Sequence, residues 1–494
     1  MKNAITCIEK KDKIFLIILF AVLVLFYNEQ ADIRIILRAS DVLVDAIRQG
    51  RILDFYSMTL EYDASTYFIG MAANYNILVY LFVLVLTLPM RLLRLIFGLF
   101  GGAALISEDL VVLYLHAQVA CFALLLLLQI EYLVKELLLI GDPSEEDANR
   151  LSVVACYLTG FSPLFLIAVV GYTQIDVIYM LLTVVALRFY IRGKLDAFSW
   201  IMAVAIAFKT FPVIFFVPLL LAAEKRILPL IRHLAEGASL TVLFWLLYGR
   251  NAGYKEVQAQ FPEFMERLFE VTLPNGREGS VPLLVCGMAL FCFFCYWLRW
   301  GRTFSSPKSV PFVTKTDGKD RNYPAMIVTC MLVPSVLITL FFNWNVNYLI
   351  MPAVAFGLAL PFVKNKNRFI AIETVGFVGF LVYWMLDFWH WYGICDAYLF
   401  LDIFGYERPA VLPDFAGIFG DKADVISAAA LAVFAAAVLM QTIIVFADGI
   451  RGDWKAYDIA NDDGENTLLR GYIYLPVLVL AAFLVIHGIY YFMA

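Results

Sequence analysis

The chain has 494 residues, of which 62% are hydrophobic and only 16% are charged. A soluble protein would carry roughly 25% charged residues, so the composition excludes an ordinary soluble protein. The net charge of −5 argues against a nucleic-acid partner, because such partners are met by basic surfaces. Apolar stretches near the ~20 residues that cross hydrocarbon recur along the chain. They predict an all-α polytopic membrane protein with about 13–15 transmembrane helices.

The first predicted span covers residues 14–27 and follows four lysines. Basic residues before a first span favour a cytoplasmic N-terminus, so we expect residues 31–74 to form an extracytoplasmic loop. No Asn-x-Ser/Thr sequon occurs in the chain. This favours a bacterial plasma membrane over an endoplasmic reticulum.

The first loop carries the pattern of an amphipathic helix lying on the membrane surface. Ser40 is placed to cap a helix that begins at Asp41, and Gly50 is placed to end it. Ile36, Leu43 and Ile47 would form its apolar face, whereas Arg38, Asp41, Asp45 and Arg48 would face water. Asp41 is a candidate general base, because the helix dipole keeps it ionised. The alternative is a solvated face with Asp41–Arg38 and Asp45–Arg48 ion pairs.

The next spans are predicted at residues 75–90, 95–106 and 111–132. Arg91 and Arg94 would hold the end of the first of these in the cytoplasm. The short span at 95–106 matters because its loss would invert the sidedness that follows.

Two later outer turns carry charged side chains. One contains Gln174 and Asp176, and the next contains Lys209 followed by Pro212. A lysine among apolar neighbours is costly, and its ammonium can hold a lipid phosphate. The alternative is a lysine that snorkels to the interface. Gln174 and Asp176 are candidates for binding sugar hydroxyls or a second substrate, or they cap the following helix.

A further outer turn, residues 343–348, combines Asn347 and Tyr348 with other amides and a tryptophan. Amides beside aromatic rings suit sugar binding, but aromatic residues at an interface also form an ordinary belt.

Linkers and long loops divide the chain into three expected parts. Residues 1–225 would form an N-terminal catalytic module, and residues 324–494 a C-terminal module. Residues 226–323 would connect them, with an outer loop at 250–280 and a basic cytoplasmic linker at 299–321.

The cysteines and histidines predict no resident metal. The eight cysteines fall almost entirely in spans, and the apolar run around Cys292 and Cys295 favours buried packing over a metal site. The four histidines share no metal-ligand spacing, and His390 alone is a weak outer-surface candidate. No phosphate loop or dinucleotide fingerprint occurs, so nucleotide hydrolysis is not expected.

Taken together, these motifs resemble the integral-membrane glycosyltransferases of the C-type fold, which use polyprenyl-phosphate sugars. The ordered set covers about the first 225 residues and ends in one later motif. Its members are the helix from Ser40-Asp41 to Gly50-Arg51, Tyr75-Asn-Ile-Leu-Val-Tyr80, Gly171-Tyr-Thr-Gln174-Ile-Asp176, Lys209-Thr-Phe-Pro212, and Asn347-Tyr348 in place of an Arg-Tyr motif.

The resemblance implies transfer of a sugar from a polyprenyl-phosphate donor to an acceptor hydroxyl on the extracytoplasmic side, with inversion. Asp41 would be the base, with Asp45 as its substitute, in one pocket with Lys209, which would stabilise the departing phosphate. The other substrate-binding residues would be Gln174, Asp176, Tyr75, Asn347 and Tyr348.

The expected partners are the donor, a glycan or lipid-linked acceptor, and membrane lipids. Asp41 and Asp45 could also hold a divalent cation, although a donor with one phosphate does not require it. Two other functions fit the composition: a lipid-linked sugar or oligosaccharide flippase or other transporter, and a glycan polymerase or ligase.

Overall fold

The protein is an all-α, multi-pass membrane protein, as the composition predicts. The computed structural model describes residues 10–25, 31–61, 73, 75–102, 105–140, 144–171, 175–259, 266, 268–274, 280–297, 323–342, 346–387, 415–451, 454 and 456.

The first half of the described chain is a succession of helices. They are α1 (Lys10–Leu25), α2 (Ala31–Arg48), α3 (Phe55–Glu61), α4 (Ile77–Leu99), α5 (Glu108–Ile140), α6 (Glu145–Gly160), α7 (Pro163–Leu166), α8 (Asp176–Ile191), α9 (Leu195–Phe208), α10 (Val213–Ala223), α11 (Ile227–Tyr248) and α12 (Ala252–Ala259). A 3₁₀ turn at Ile52–Asp54 precedes α3, and a π-helical segment, Ile167–Gly171, follows α7.

A small antiparallel hairpin follows, formed by β1 (Thr272–Pro274) and β2 (Ser280–Pro282), with Leu273 opposite Val281. The remaining helices are α13 (Leu283–Trp297), α14 (Tyr323–Phe341), α15 (Ile350–Ala359), α16 (Lys366–Asp387), α17 (Phe415–Phe419) and α18 (Ala423–Arg451). Short 3₁₀ segments at Val346–Leu349 and Leu360–Phe362 flank α15.

Six helices in the described part of the chain are long and apolar enough to cross a membrane. They are Ile77–Leu99, Glu108–Ile140, Ile227–Tyr248, Tyr323–Phe341, Lys366–Asp387 and Ala416–Arg451. A seventh span is formed if α6 and the segment Pro163–Val169, which meet at a bend of 55°, are taken together. Shorter apolar helices lie at Leu195–Phe208, Val213–Ala223, Leu283–Trp297 and Val346–Phe362.

The core of the molecule surrounds α5, which packs against α1, α4, α6 and α8. Helix α9 is sandwiched between α8 and α11, and α15 packs against α6, α7 and α14. Side chains of α5 such as Leu126 and Leu133 are fully buried. This packing holds the short helices α8, α9, α10 and α15 together, and their ends form the site described below.

The short span predicted at residues 95–106 is wrong. Helix α4 continues through both arginines to Leu99, and α5 begins at Glu108, so residues 95–99 belong to α4 instead of a separate span. Leu and Phe on either side of Arg91 and Arg94 keep the helix apolar, and long side chains let such arginines reach polar partners.

The first loop does contain an amphipathic helix, but α2 begins at Ala31, nine residues before the predicted N-cap. Ser40 therefore lies inside the helix, where its hydroxyl donates to Leu37 O at 2.5 Å. Gly50 ends the turn as predicted, with φ +67° and the Arg51 amide bonded to Ala46 O at 2.8 Å. Only glycine adopts this left-handed conformation without strain.

The apolar face of α2 packs on protein. Ile36 and Leu43 are buried against neighbouring helices, among which α4 is the main partner. Ile47 alone of the predicted stripe is exposed. An amphipathic pattern reports one apolar face, and it does not distinguish lipid from another helix.

Candidate functional site

Three breaks between helices meet at one point in the bundle. Asp176 is the first residue of α8, the helix that follows the π-helical segment Ile167–Gly171 along the chain. Lys209 follows α9 with extended backbone, and Pro212 then starts α10. Asn347 lies in the 3₁₀ segment before α15. The side chains of Asp176, Lys209 and Asn347 therefore converge at the ends of four short helices, α8, α9, α10 and α15.

Asp176 and Lys209 form a buried ion pair at this point. The Lys209 ammonium donates to Asp176 Oδ1 at 2.5 Å. The side chain of Lys209 is 13% exposed and that of Asp176 is 1% exposed. Asn347 Nδ2 donates to the other carboxylate oxygen, Oδ2. Both oxygens of Asp176 are thus engaged by residues from different parts of the chain.

Aromatic rings surround the ammonium. Lys209 Nζ lies 5.2 Å from the ring centre of Tyr348, 5.9 Å from that of Phe211 and 6.0 Å from that of Tyr75. Phe211 and Tyr348 pack at 4.5 Å between ring centres. A cation within ~6 Å of a ring face is attracted by the ring quadrupole. The rings hold the charged tip in place and shield it from lipid.

Two buried polar atoms at this cluster have no hydrogen-bond partner among the described residues. They are Asn347 Oδ1 and Tyr179 Oη. Tyr179 lies one helical turn after Asp176 on α8, so both face the same side of that helix. Leaving such a group unpaired costs about 1–3 kcal/mol. The cluster therefore offers one acceptor and one hydroxyl to a bound molecule.

Tyr56 of α3 anchors Tyr75 beside the cluster. Tyr56 donates to Tyr75 O at 3.0 Å, and the Tyr75 amide donates to the Tyr80 hydroxyl at 2.9 Å. The ring of Tyr56 packs at 5.1 Å from Tyr248 and 5.0 Å from Tyr254. This aromatic packing fixes Tyr75 beside Lys209.

The site lies at the ends of helices opposite to their basic loops. Helices α8 and α9 are joined by Arg192-Gly-Lys194, α10 ends before Lys225 and Arg226, and α15 is followed by Lys364. Helices α9 and α10 have 14 and 11 residues, which correspond to about 21 Å and about 17 Å. A hydrocarbon layer is about 30 Å thick. Helices α9 and α10 are therefore shorter than the hydrocarbon layer.

Asp41 does not join this cluster. Its carboxylate accepts from Arg91 of α4, and its side chain is 52% exposed. Ile77, at the start of α4, is close to Tyr75 in the chain. Arg91 lies about 21 Å from Ile77 along the helix axis. The expectation that Asp41 and Lys209 share one pocket is wrong, because Arg91 binds the Asp41 carboxylate at a part of α4 far from the cluster.

The Asp41–Arg91 pair also contradicts the expected separation of the loop helix from Arg91. The loop helix was expected outside and Arg91 inside, but α2 packs along α4 and brings Asp41 to Arg91. Arg38 bonds Glu108 of α5 at 3.0 Å instead of pairing with Asp41, whereas the predicted Asp45–Arg48 pair is present at 3.7 Å. Since Asp41 and Asp45 face arginines, a cation between them has no support in these contacts.

Of the predicted substrate-binding residues, the structure brings together Asp176, Lys209, Asn347, Tyr348 and Tyr75. Gln174, the amide-rich residues 343–345 and His390 lie outside the described residues. Phe211 and Tyr179 also lie at the cluster and were not among the predicted site residues. Phe211 stands inside the Lys209–Pro212 turn, and Tyr179 has helical spacing from Asp176, so both had a sequence signal.

The C-x-x-C pattern is helical packing in the structure. Cys295 is buried on α13, and its sulfur lies 3.8 Å from that of Cys330 on α14. Both thiols are free.

Comparison with known proteins adds no assignment. No protein-family model matches the sequence, and neither a curated protein nor a solved structure matches it significantly.

Proposed function

We propose that this protein is a glycosyltransferase that moves a sugar from a polyprenyl-phosphate donor to an acceptor hydroxyl. The observation that carries the proposal is the Asp176–Lys209–Asn347 cluster, built where helix breaks meet inside the bundle. The proposal includes a bacterial plasma membrane, a cytoplasmic N-terminus and a site open to the extracytoplasmic side. The basic loops at the opposite helix ends support that orientation through the positive-inside rule.

The charge of the site suits the departing group. A polyprenyl-phosphate sugar carries one negative charge, and the polyprenyl phosphate released from it gains a second. An ammonium fixed at that oxygen stabilises charge that grows during the reaction, and one such donor contributes about 3–4 kcal/mol in other enzymes. Lys209 has three N–H donors for this task, one of which Asp176 now receives.

The depth of the site suits the donor's tail. An isoprenoid chain stays in hydrocarbon, while its phosphate reaches the membrane surface. A cluster recessed below that surface by short helices can meet the phosphate without drawing the chain into water. The exposed apolar side chains of α4, which include Val85 and Leu88, offer lipid-compatible surface along the helix that begins beside the cluster.

In the proposed reaction, the acceptor oxygen forms a bond to the anomeric carbon while the bond from that carbon to the phosphate oxygen breaks. The acceptor proton passes to a carboxylate. The contacts favour Asp176 over Asp41 and Asp45 for this role, because phosphate binding to Lys209 would release one oxygen of Asp176. Asn347 Oδ1 and Tyr179 Oη would receive sugar hydroxyls.

The test uses purified protein in nanodiscs with polyprenyl phosphates carrying radiolabelled mannose, glucose or arabinose, and membranes as the source of acceptor. One labelled sugar should leave its lipid, and Lys209→Met should reduce this loss at least about 100-fold. Lys194→Met is the matched control, since Lys194 is an exposed lysine at the basic end of α9. No loss of sugar from any donor, with folded protein, would contradict the proposal.

A transporter or flippase is the second candidate, and one observation favours it. Buried charges at broken helices inside the membrane are typical of ion and substrate pathways. Liposomes separate the two functions. Movement of an intact labelled lipid-linked sugar across the bilayer, with no cleavage and with dependence on Lys209, would support the transporter and contradict the enzyme. A polymerase or ligase would instead consume lipid-linked glycans longer than one sugar.

A further inference from the structure

A second polar cluster lies at the basic end of the bundle, away from Lys209. It consists of Asp196 in the first turn of α9, and His233 and Glu236 on α11. One ligand atom from each lies within 4.8 Å of the other two. His233 is buried, with its side chain 5% exposed, whereas Asp196 is 68% exposed. The cluster is therefore anchored at one side and reachable from water at the other.

The distances centre on a single nitrogen. His233 Nδ1 lies 2.8 Å from Glu236 Oε2, 3.7 Å from Asp196 Oδ1 and 3.3 Å from the buried Ser199 hydroxyl. A ring nitrogen makes one hydrogen bond, through its proton or its lone pair. Two of these oxygens lie within hydrogen-bond distance of this single nitrogen, and the Asp196 oxygen lies just beyond it.

These separations are close to those of ligands that share a metal ion. With bonds of about 2.1 Å, neighbouring ligand atoms lie about 3.0 Å apart in octahedral geometry and about 3.4 Å apart in tetrahedral geometry. One imidazole nitrogen with two carboxylates is a donor set suited to zinc and its neighbours in the first transition series. We propose that Asp196, His233 and Glu236 bind a divalent transition-metal ion, with Ser199 beside the ligands.

Arg232 now supplies the positive charge between the carboxylates. It donates to Asp196 Oδ1, and its Nε lies 3.3 Å from Glu236 Oε1. Its side chain is 59% exposed, so these pairs are weak and their exchange for a metal ion costs little. Arg232 is thus a competitor of the ion, and its removal should strengthen metal binding.

The ion would join α9 to α11. Helix α9 leads directly to Lys209 at its other end, so a bound metal would fix the helix that carries the ammonium. This inference does not depend on the proposed function, because binding is measured without substrate.

The test is titration of the full-length protein in detergent with Zn²⁺, and with Co²⁺ for its visible absorption. The protein should be purified without a polyhistidine tag. We expect a stoichiometry of one and a Co²⁺ spectrum with nitrogen and oxygen ligands. His233→Ala should weaken binding by more than the ~10–100-fold that loss of a supporting residue costs. Glu145→Gln is the control, since Glu145 is an exposed acidic residue paired with Lys135.

Arg232→Ala separates a metal site from an ion-pair network even if His233→Ala does not fold. The proposal predicts tighter Zn²⁺ binding in Arg232→Ala and a larger rise of Tm on adding Zn²⁺ than in the wild type. Binding that is absent, or that is equal in wild type, Arg232→Ala and Asp196→Asn, would overturn it and leave Arg232 as the permanent partner of the two carboxylates.

Discussion

Separating Lys209 from Asp176 tests whether the cluster is one interacting unit. Lys209→Met removes the ammonium and leaves a carboxylate that is 1% exposed. Loss of one partner from a buried ion pair costs about 3–5 kcal/mol, because the remaining charge is buried without its counter-ion. Asp176→Asn should cost a similar amount, because it leaves the Lys209 ammonium without its counter-ion. The double variant leaves no uncompensated charge, so its loss should be smaller than the sum by about 0.5–3 kcal/mol.

The assay is unfolding of the purified variants in mixed micelles by added SDS, followed by circular dichroism. Lys194→Met, an exposed lysine at the opposite end of α9, should stay within about 0.5 kcal/mol of the wild type. Losses that simply add, within about 0.3–0.5 kcal/mol, would show that the two residues do not interact and would refute the reasoning.

Three further predictions follow from individual residues. Asp41→Asn should change sugar transfer far less than the 10²–10⁴-fold expected for loss of a general base, because Asp41 is held by Arg91; a loss of that size in the transfer assay would return Asp41 to the reaction. Burial lowers the pKa of Lys225 to about 8 from 10.5, so between those values the unfolded state binds more protons and stability should rise with pH. SDS unfolding from pH 8 to pH 10.5 should show this rise in the wild type and not in Lys225→Met; equal slopes would contradict it. Gly357→Ala should destabilise the protein by about 1–3 kcal/mol, because the new Cβ would overlap Thr159 Oγ1 where α15 meets α6; Gly357→Ala combined with Thr159→Ala should recover part of the loss, and no recovery would place the strain elsewhere.

The residues of the cluster could be found from the sequence because each is a charged or amide residue next to apolar stretches. Lys209 is a charge at the end of an apolar helix, and Asp176 and Asn347 stand in short turns between apolar runs. Charged and amide groups at such places need partners inside the membrane. The family resemblance implied one shared site for these residues, but the pairing of Asp176 with Lys209 and Asn347 needed the fold.

The errors have physical causes as well. The pattern of α2 showed an apolar face but not that α4 covers it, and Glu108 could not be chosen as the partner of Arg38 from spacing along the chain. Arg91 and Arg94 read as a helix end, although α4 continues through them. The contact of His233 with Asp196 is likewise invisible in spacing along the chain, because Asp196 comes from another helix.

The most direct measurement is an experimental structure with bound polyprenyl phosphate, determined in a nanodisc by electron microscopy. The account predicts phosphate oxygens about 2.7–2.9 Å from Lys209 Nζ, with the isoprenoid chain leaving between helices into lipid and Asp176 turned from the ammonium. A phosphate bound elsewhere, with the Asp176–Lys209 pair unchanged, would contradict it.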